Sequence, residues 1–212
     1  MEEALVAVNR SKLATRGQRL EYFTVAWNAI EALAAVIFAW RAGSIALMAF
    51  GLDSLIEVVS GAALLWRLHH DANETRRAAA ERVALRIVGG CFVALSVYVS
   101  IDSIHSLVSR RAPEHSVGGI IVAVAALVVM PLLAHAKRGV AQQLDSAALD
   151  ADAKQTDFCA YLAGIVLLGL VFNALLGCWW ADPVAGLVMV PILAREGWRA
   201  ARGKTCTDGC GH

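Results

Sequence analysis

The chain has 212 residues, of which 58% are hydrophobic and 17% are charged, with a mean hydropathy of +0.58. Soluble domains carry about 25% charged residues, so this composition is typical of a membrane protein. The net charge of +1 at pH 7 argues against nucleic-acid binding as the main task. The five cysteines lie in apolar segments or in the C-terminal tail, which is not the pattern of a disulfide framework.

The N-terminal segment, residues 1–21, is polar and basic and precedes the first apolar segment. An amphipathic lead of this kind lies at the lipid headgroups on the cytoplasmic side, so we assign it no chemistry. The first span is predicted at about Tyr22–Trp40, and no small-residue cleavage site marks it as a removable signal peptide. It contains Glu31, which is either a secondary proton or metal station or one side of an inter-helix hydrogen bond. We favour the hydrogen bond.

The second predicted span, about Ser44–Leu68, carries two acidic residues in its apolar middle, Asp53 and Glu57. A charge at the centre of a bilayer costs roughly 2.5–3.5 kcal/mol on insertion scales. The i, i+4 spacing places both carboxylates on one helix face, where two like charges stay ionised only with something positive between them. A shared proton or a metal cation would supply that charge. The alternative is one protonated acid bonded to a neighbouring helix; we favour an ion or proton pathway.

Two further spans follow a polar loop that we predict over residues 69–82. The third span is predicted at about Val83–Val108 and the fourth at about Ser116–Ala136, where Pro131 indicates a kink. Residues 139–152 are polar and include good helix formers, so we expect a helical linker that runs into the next span.

The fifth predicted span, about Lys154–Trp179, opens on a second group of polar residues. Asp152, Gln155 and Cys159 follow i, i+3, i+7 and share one helix face, whereas Asp157 points elsewhere.

The sixth predicted span, about Asp182–Arg199, opens with Asp182 followed by Pro183, the pattern of a helix N-cap and first turn. With the N-terminus inside, the cytoplasmic segments hold sixteen of the 19 Lys and Arg residues and the external segments hold three. We therefore predict an all-α membrane protein with six transmembrane helices and both termini cytoplasmic, in the cell membrane.

Three stretches of the chain resemble a known family. Residues 43–57, GSIALMAFGLDSLIE, look like the second span of the cation diffusion facilitators. Residues 151–159, ADAKQTDFC, and residues 180–183, WADP, are similar to the fifth and sixth spans of that family. The resemblance covers residues 22–202, which are expected to form a six-helix transmembrane transporter domain. It implies export of divalent cations such as zinc, cadmium, cobalt or iron, usually against protons, by a homodimer.

The resemblance also implies a tetrahedral metal site with two ligands from the second span, Asp53 and Glu57, and two from the fifth. The fifth-span positions fall on Gln155 and Cys159 in one register; in the other register only Asp157 is a ligand. We favour the first register because it supplies two ligating atoms. A thiolate prefers softer ions, so zinc is the first candidate, followed by cadmium and cobalt; Cys159 otherwise serves as a small buried hydrophobe. Further candidate ligands are Asp152, Asp157, Glu31, Cys206, Cys210 and His212.

The family usually carries a cytoplasmic domain after the last span, whereas this chain ends soon after it. The difference predicts a truncated branch of the family, in which a homodimer would form through the membrane helices. The tail, residues 203–212, contains Cys206, Cys210 and His212. These side chains either bind one zinc or cadmium ion at the cytoplasmic entrance or belong to a disordered end with incidental thiols.

Taken together, these patterns favour a secondary transporter that exports a metal cation and takes up protons by alternating access. The alternative is a non-transporting membrane protein that binds metal as a regulator or partner subunit. We expect neither an enzyme nor a prosthetic group, because the chain contains no HExxH motif and no nucleophile elbow.

Overall fold

The computed structural model of the protein describes residues 2–69, 74–110, 113–144 and 147–201. These residues form helices joined by short connections, and they contain no strand. The six helices are α1 (Glu2–Ala42), α2 (Ile45–His69), α3 (Glu74–Ser109), α4 (Val117–Leu144), α5 (Ala147–Leu176) and α6 (Ala181–Ala201).

α1 and α3 begin earlier than the apolar spans that they contain. α1 begins at Glu2, so the basic lead and the first span are one continuous helix. α3 begins at Glu74, so the prediction of a polar loop is wrong for residues 74–82. Both extensions are rich in Ala, Glu and Arg, which are strong helix formers, and polarity alone does not end a helix. The helical linker predicted over residues 139–152 is confirmed in its described part, which is divided between α4 and α5.

The outer surface of the bundle is apolar. Large hydrophobic side chains are more than half exposed on several helices, among them Leu33, Ile101, Leu132 and Leu175. Such a surface suits lipid tails rather than water. Four stretches of the described residues are long and apolar enough to cross a membrane, by length and composition: Thr15–Ala42, Gly89–Ser109, Val117–Gln143 and Asp152–Leu176. The chain is therefore an integral membrane protein with several spans.

α2 is central to the bundle and contacts α1, α3, α5 and α6. Two of its glycines permit the close approach of α1. A Cβ atom on Gly51 would lie 3.0 Å from the Cβ of Ala35, and one on Gly61 would lie 2.7 Å from Cγ2 of Val25. Because these distances are shorter than ordinary van der Waals contact, a larger residue at either position would push the helices apart. Close packing against α1 thus covers one side of the acidic face of α2.

The N-terminus of α2 is capped by a residue of α6. Asp182 is fully buried, and its Oδ1 accepts a hydrogen bond from Ser44 Oγ at 2.5 Å. Its Oδ2 accepts a second bond from the backbone N–H of Ile45 at 2.8 Å. The prediction that Asp182 is the N-cap of its own helix is wrong, because α6 already begins at Ala181 and the carboxylate reaches across to α2. This contact fixes the position of α2 relative to α6.

We expect Asp182→Ala to destabilise the protein by about 0.5–2 kcal/mol, the usual cost of losing an N-cap. The loss arises because the first backbone N–H groups of α2 and the Ser44 hydroxyl would be left without their acceptor. Thermal unfolding of the detergent-solubilised protein would measure it as a lower midpoint. Glu114→Ala, which removes an exposed acid at the same end of the bundle, is the control. An equal loss in both variants would contradict the cap.

Candidate metal site

The two acids of α2 meet α5 in the interior of the bundle. Asp53 is fully buried and Glu57 is 9% exposed. The thiol of Cys159, itself fully buried, donates a hydrogen bond to Asp53 Oδ2 with an Sγ–Oδ2 distance of 3.1 Å. The Glu57 carboxylate lies beside the same thiol. Three of the four side chains that the favoured register selects are therefore adjacent, although 102 residues separate Glu57 from Cys159 in the chain.

Several oxygen atoms at this point have no hydrogen-bond partner among the described residues. They are Asp53 Oδ1, Glu57 Oε1 and Asn28 Oδ1. A buried polar atom without a partner costs about 1–3 kcal/mol, and more when it is charged. All three atoms are acceptors, so a cation would compensate them where an additional acceptor would not. Two carboxylates and one thiol are side chains of the kind that bind a metal cation.

Asn28 of α1 is a member of this site that the sequence patterns did not identify. Its Nδ2 donates a hydrogen bond to Glu57 Oε2 at 2.7 Å, and the residue is only 1% exposed. An asparagine inside an apolar span is a weak signal, because it is just as often an ordinary inter-helix bond. Only the packing of α1 on α2 shows that its partner is one of the two acids.

Glu31 lies one turn further along α1 and is already satisfied. Its Oε1 accepts a hydrogen bond from Ser54 Oγ of α2 at 2.7 Å, and its Oε2 accepts one from Trp27 Nε1 at 2.8 Å. The interpretation of Glu31 as one side of an inter-helix hydrogen bond is therefore confirmed. Both of its oxygens are occupied by protein donors.

The two acids at the start of α5 bind basic residues of α4. Lys137 is fully buried, and its Nζ lies 2.5 Å from Asp152 Oδ2 and 3.0 Å from Glu21 Oε2 of α1. Arg138 forms an ion pair with Asp157. A single buried ammonium group thus joins α1, α4 and α5, a cluster that the sequence patterns also did not identify. Asp152 and Asp157 are engaged with α4 in this structure.

The remaining candidate ligands make no hydrogen bond at this contact or lie beyond the described ranges. Gln155 is half-buried one turn before Cys159, and within the described residues it makes no hydrogen bond to Asp53, Glu57 or Cys159. No three His, Cys, Asp or Glu side chains of the described part of the chain already enclose a metal position. The tail candidates are outside the described residues: Cys206, Cys210 and His212.

Comparison with known proteins identifies the family of this bundle. The chain matches the cation efflux transmembrane domain over residues 22–204. It belongs to the cation efflux family. This match confirms the resemblance that was noted at residues 43–57. The domain of this family is a membrane domain that transports cations rather than an enzyme.

The cation efflux domain of this chain is also similar to transmembrane protein 163 of Xenopus laevis. The two sequences are 28% identical over 185 residues. That alignment covers 84% of this chain and 63% of the relative, so the chain spans less than two thirds of the relative's length.

The Lys137 cluster should contribute more to stability than the neighbouring ion pair. We expect Lys137→Met to cost about 3–5 kcal/mol, because it leaves the buried carboxylate of Glu21 and the half-buried carboxylate of Asp152 without their cation. Arg138→Met removes a side chain that is 37% exposed, so its cost should stay below about 1 kcal/mol. The folded fraction after extraction and the thermal midpoint would measure both. Equal losses in the two variants would contradict this difference in burial.

Proposed function

We propose that the protein is a secondary transporter that exports a divalent heavy-metal cation in exchange for protons. Zinc is the first candidate, followed by cadmium and cobalt. The observation that carries this proposal is the contact between Cys159 of α5 and Asp53 of α2, beside carboxylate oxygens that have no donor among the described residues. Carboxylates with a thiolate suit zinc-type ions better than magnesium or calcium. Membership in the cation efflux family supports the transport of a cation.

Competition between metal and protons follows from the chemistry of these ligands. The Cys159 thiol donates a hydrogen bond to Asp53 Oδ2, whereas a metal ion binds the thiolate, so metal binding displaces the thiol proton. Asp53 and Glu57 also bind metal only when they are deprotonated. A higher pH on the loading side therefore favours metal binding, and a lower pH on the opposite side favours release. This competition supplies the coupling that metal–proton exchange needs.

The transport cycle requires that the site opens to one side of the membrane at a time. Because the ligands come from α2 and α5, a relative movement of these two helices would change access to the ion. We propose Gln155 as the amide ligand on α5, one turn from Cys159. We also propose a homodimer formed through the membrane helices, located in the cell membrane. The tail residues Cys206, Cys210 and His212 would hold metal near the cytoplasmic entrance.

Flux measurements on reconstituted protein test the proposal. Asp53→Ala and Glu57→Ala should each abolish zinc uptake into proteoliposomes, because each variant removes one charged ligand of a buried cation. Asp102→Ala is the control, since it removes a carboxylate of α3 whose described contact is with Tyr98. Undiminished flux in either α2 variant would refute the site. Zinc binding without flux in the unaltered protein would instead indicate the non-transporting metal-binding function.

Cys159 should set the preference among metals. Cys159→Ser keeps a small polar side chain but replaces the soft sulfur by a hard oxygen, so binding of cadmium and zinc should weaken more than binding of cobalt. Competition titrations with the three ions would give the order of affinities. An unchanged order would return Cys159 to the role of a small buried residue. If Asp157→Ala abolishes binding while Cys159→Ser does not, the other register of the fifth span is correct.

A further inference from the structure

Asn28 holds Glu57 with one half of its amide and leaves the other half unpaired. A carboxylate oxygen only accepts hydrogen bonds, so the amide nitrogen faces Glu57 Oε2 and the amide oxygen is turned away from that atom. That oxygen, Oδ1, is buried and has no hydrogen-bond partner among the described residues. Its neighbour Glu31, on the same helix, has both oxygens bonded. Asn28 Oδ1 is therefore an unpaired acceptor on the turn of α1 that touches the acid, whereas Glu21 Oε2, also on α1 and without a hydrogen bond, lies 3.0 Å from Lys137 Nζ.

The unpaired oxygens of three residues form a connected group. Asn28 is bonded to Glu57, Glu57 is one helical turn from Asp53, and Asp53 is bonded to Cys159. Asn28, Glu57 and Asp53 each have one oxygen that accepts no hydrogen bond from a described residue. Because unpaired acceptors inside a protein are costly, their concentration at one point indicates a missing positive partner.

The chemistry of an amide oxygen explains what Asn28 adds. Asp53, Glu57 and Cys159 bring three negative charges when all are deprotonated, against the two positive charges of the cation. A further charged ligand would leave more uncompensated charge in the apolar interior, whereas a neutral oxygen extends the coordination without adding charge. The fifth-span amide, Gln155, would have the same property. Asn28, however, is the amide that contacts an acid of the site.

We propose that Asn28 is a metal ligand contributed by α1 through its Oδ1 atom, so that the cation site is built from α1, α2 and α5. This inference rests on the proposed function, because it concerns the cation that Asp53 and Glu57 bind. The Nδ2–Glu57 bond orients Glu57, and the Oδ1 atom binds the ion.

Binding titrations with Zn²⁺ on the purified, detergent-solubilised chain test the proposal. Asn28→Leu keeps the approximate volume but removes both polar atoms, and it should raise the Kd for Zn²⁺ by about 10–100-fold, the range seen when groups supporting a metal site are lost. Asn28→Asp retains an oxygen that can bind the ion, but it adds a charge and cannot donate to Glu57, so its Kd for Zn²⁺ should rise by less than about tenfold and by less than that of Asn28→Leu. An unchanged Kd in Asn28→Leu would overturn the proposal.

The aspartate variant separates a ligand from a group that only positions Glu57. If Asn28→Asp loses as much affinity as Asn28→Leu, the donor function alone matters and the proposal is refuted. Should Asn28→Leu fail to fold, as judged by gel filtration, the Asp variant still decides the question. Ser103→Ala is the matched control, because Ser103 Oγ of α3 is also buried without a described partner, and it should leave the Kd unchanged.

The same titrations distinguish this proposal from the function on which it rests. Loss of binding in Asp53→Ala and Glu57→Ala, together with unchanged binding in Asn28→Leu, would refute only the role of Asn28. Unchanged binding in the two α2 variants would refute the site itself. Gln155→Leu, measured in parallel, tests the proposed amide ligand on α5 separately. If Gln155→Leu raises the Kd while Asn28→Leu does not, the amide ligand lies on α5 alone and the proposal for Asn28 is overturned.

Discussion

The burial of Asp53 and Glu57 on one face of α2 is the constraint on which the arrangement around them depends. A carboxylate in an apolar interior is tolerated only if its charge is neutralised or its oxygens are bonded. α5 meets Asp53 with a thiol, and α1 meets Glu57 with an amide. Neither contact occupies every oxygen, so the interior keeps a set of acceptors that a cation can use.

The other buried charged side chains of the described residues are paired, although the hydroxyl of Ser103 is not, and this contrast gives the metal site its significance. Glu31 accepts two hydrogen bonds, Asp182 accepts bonds from Ser44 and Ile45, and Lys137 lies against two acids. Since native proteins bond most of their buried polar groups, acceptors left without donors call for a specific explanation. Transport of a cation provides one, because a site that was permanently filled by protein donors would have no place for its cargo.

The contacts that pair these groups also hold the helices in register. Asp182 joins α6 to the start of α2, Glu31 joins α1 to the middle of α2, and Lys137 joins α1, α4 and α5. In an apolar surrounding the hydrophobic effect does little to orient one helix on another, so small residues and polar contacts take over that role. Gly51 and Gly61 contribute by letting α1 approach α2 closely enough for Asn28 to reach Glu57.

The sequence alone was sufficient for those features that depend on residues near one another in the chain. Six apolar segments indicated six helices, because a helix crossing a bilayer needs a long apolar run, and the i, i+4 spacing placed Asp53 and Glu57 on one face. Cys159 was selected only through the family resemblance. Four features were decided by the tertiary structure. They are the contact of Cys159 with Asp53, the pairing of Asn28 with Glu57, the capping of α2 by Asp182 and the burial of Lys137. These features join residues on different helices, and periodicity within one helix carries no information about which neighbouring helix its polar face will meet.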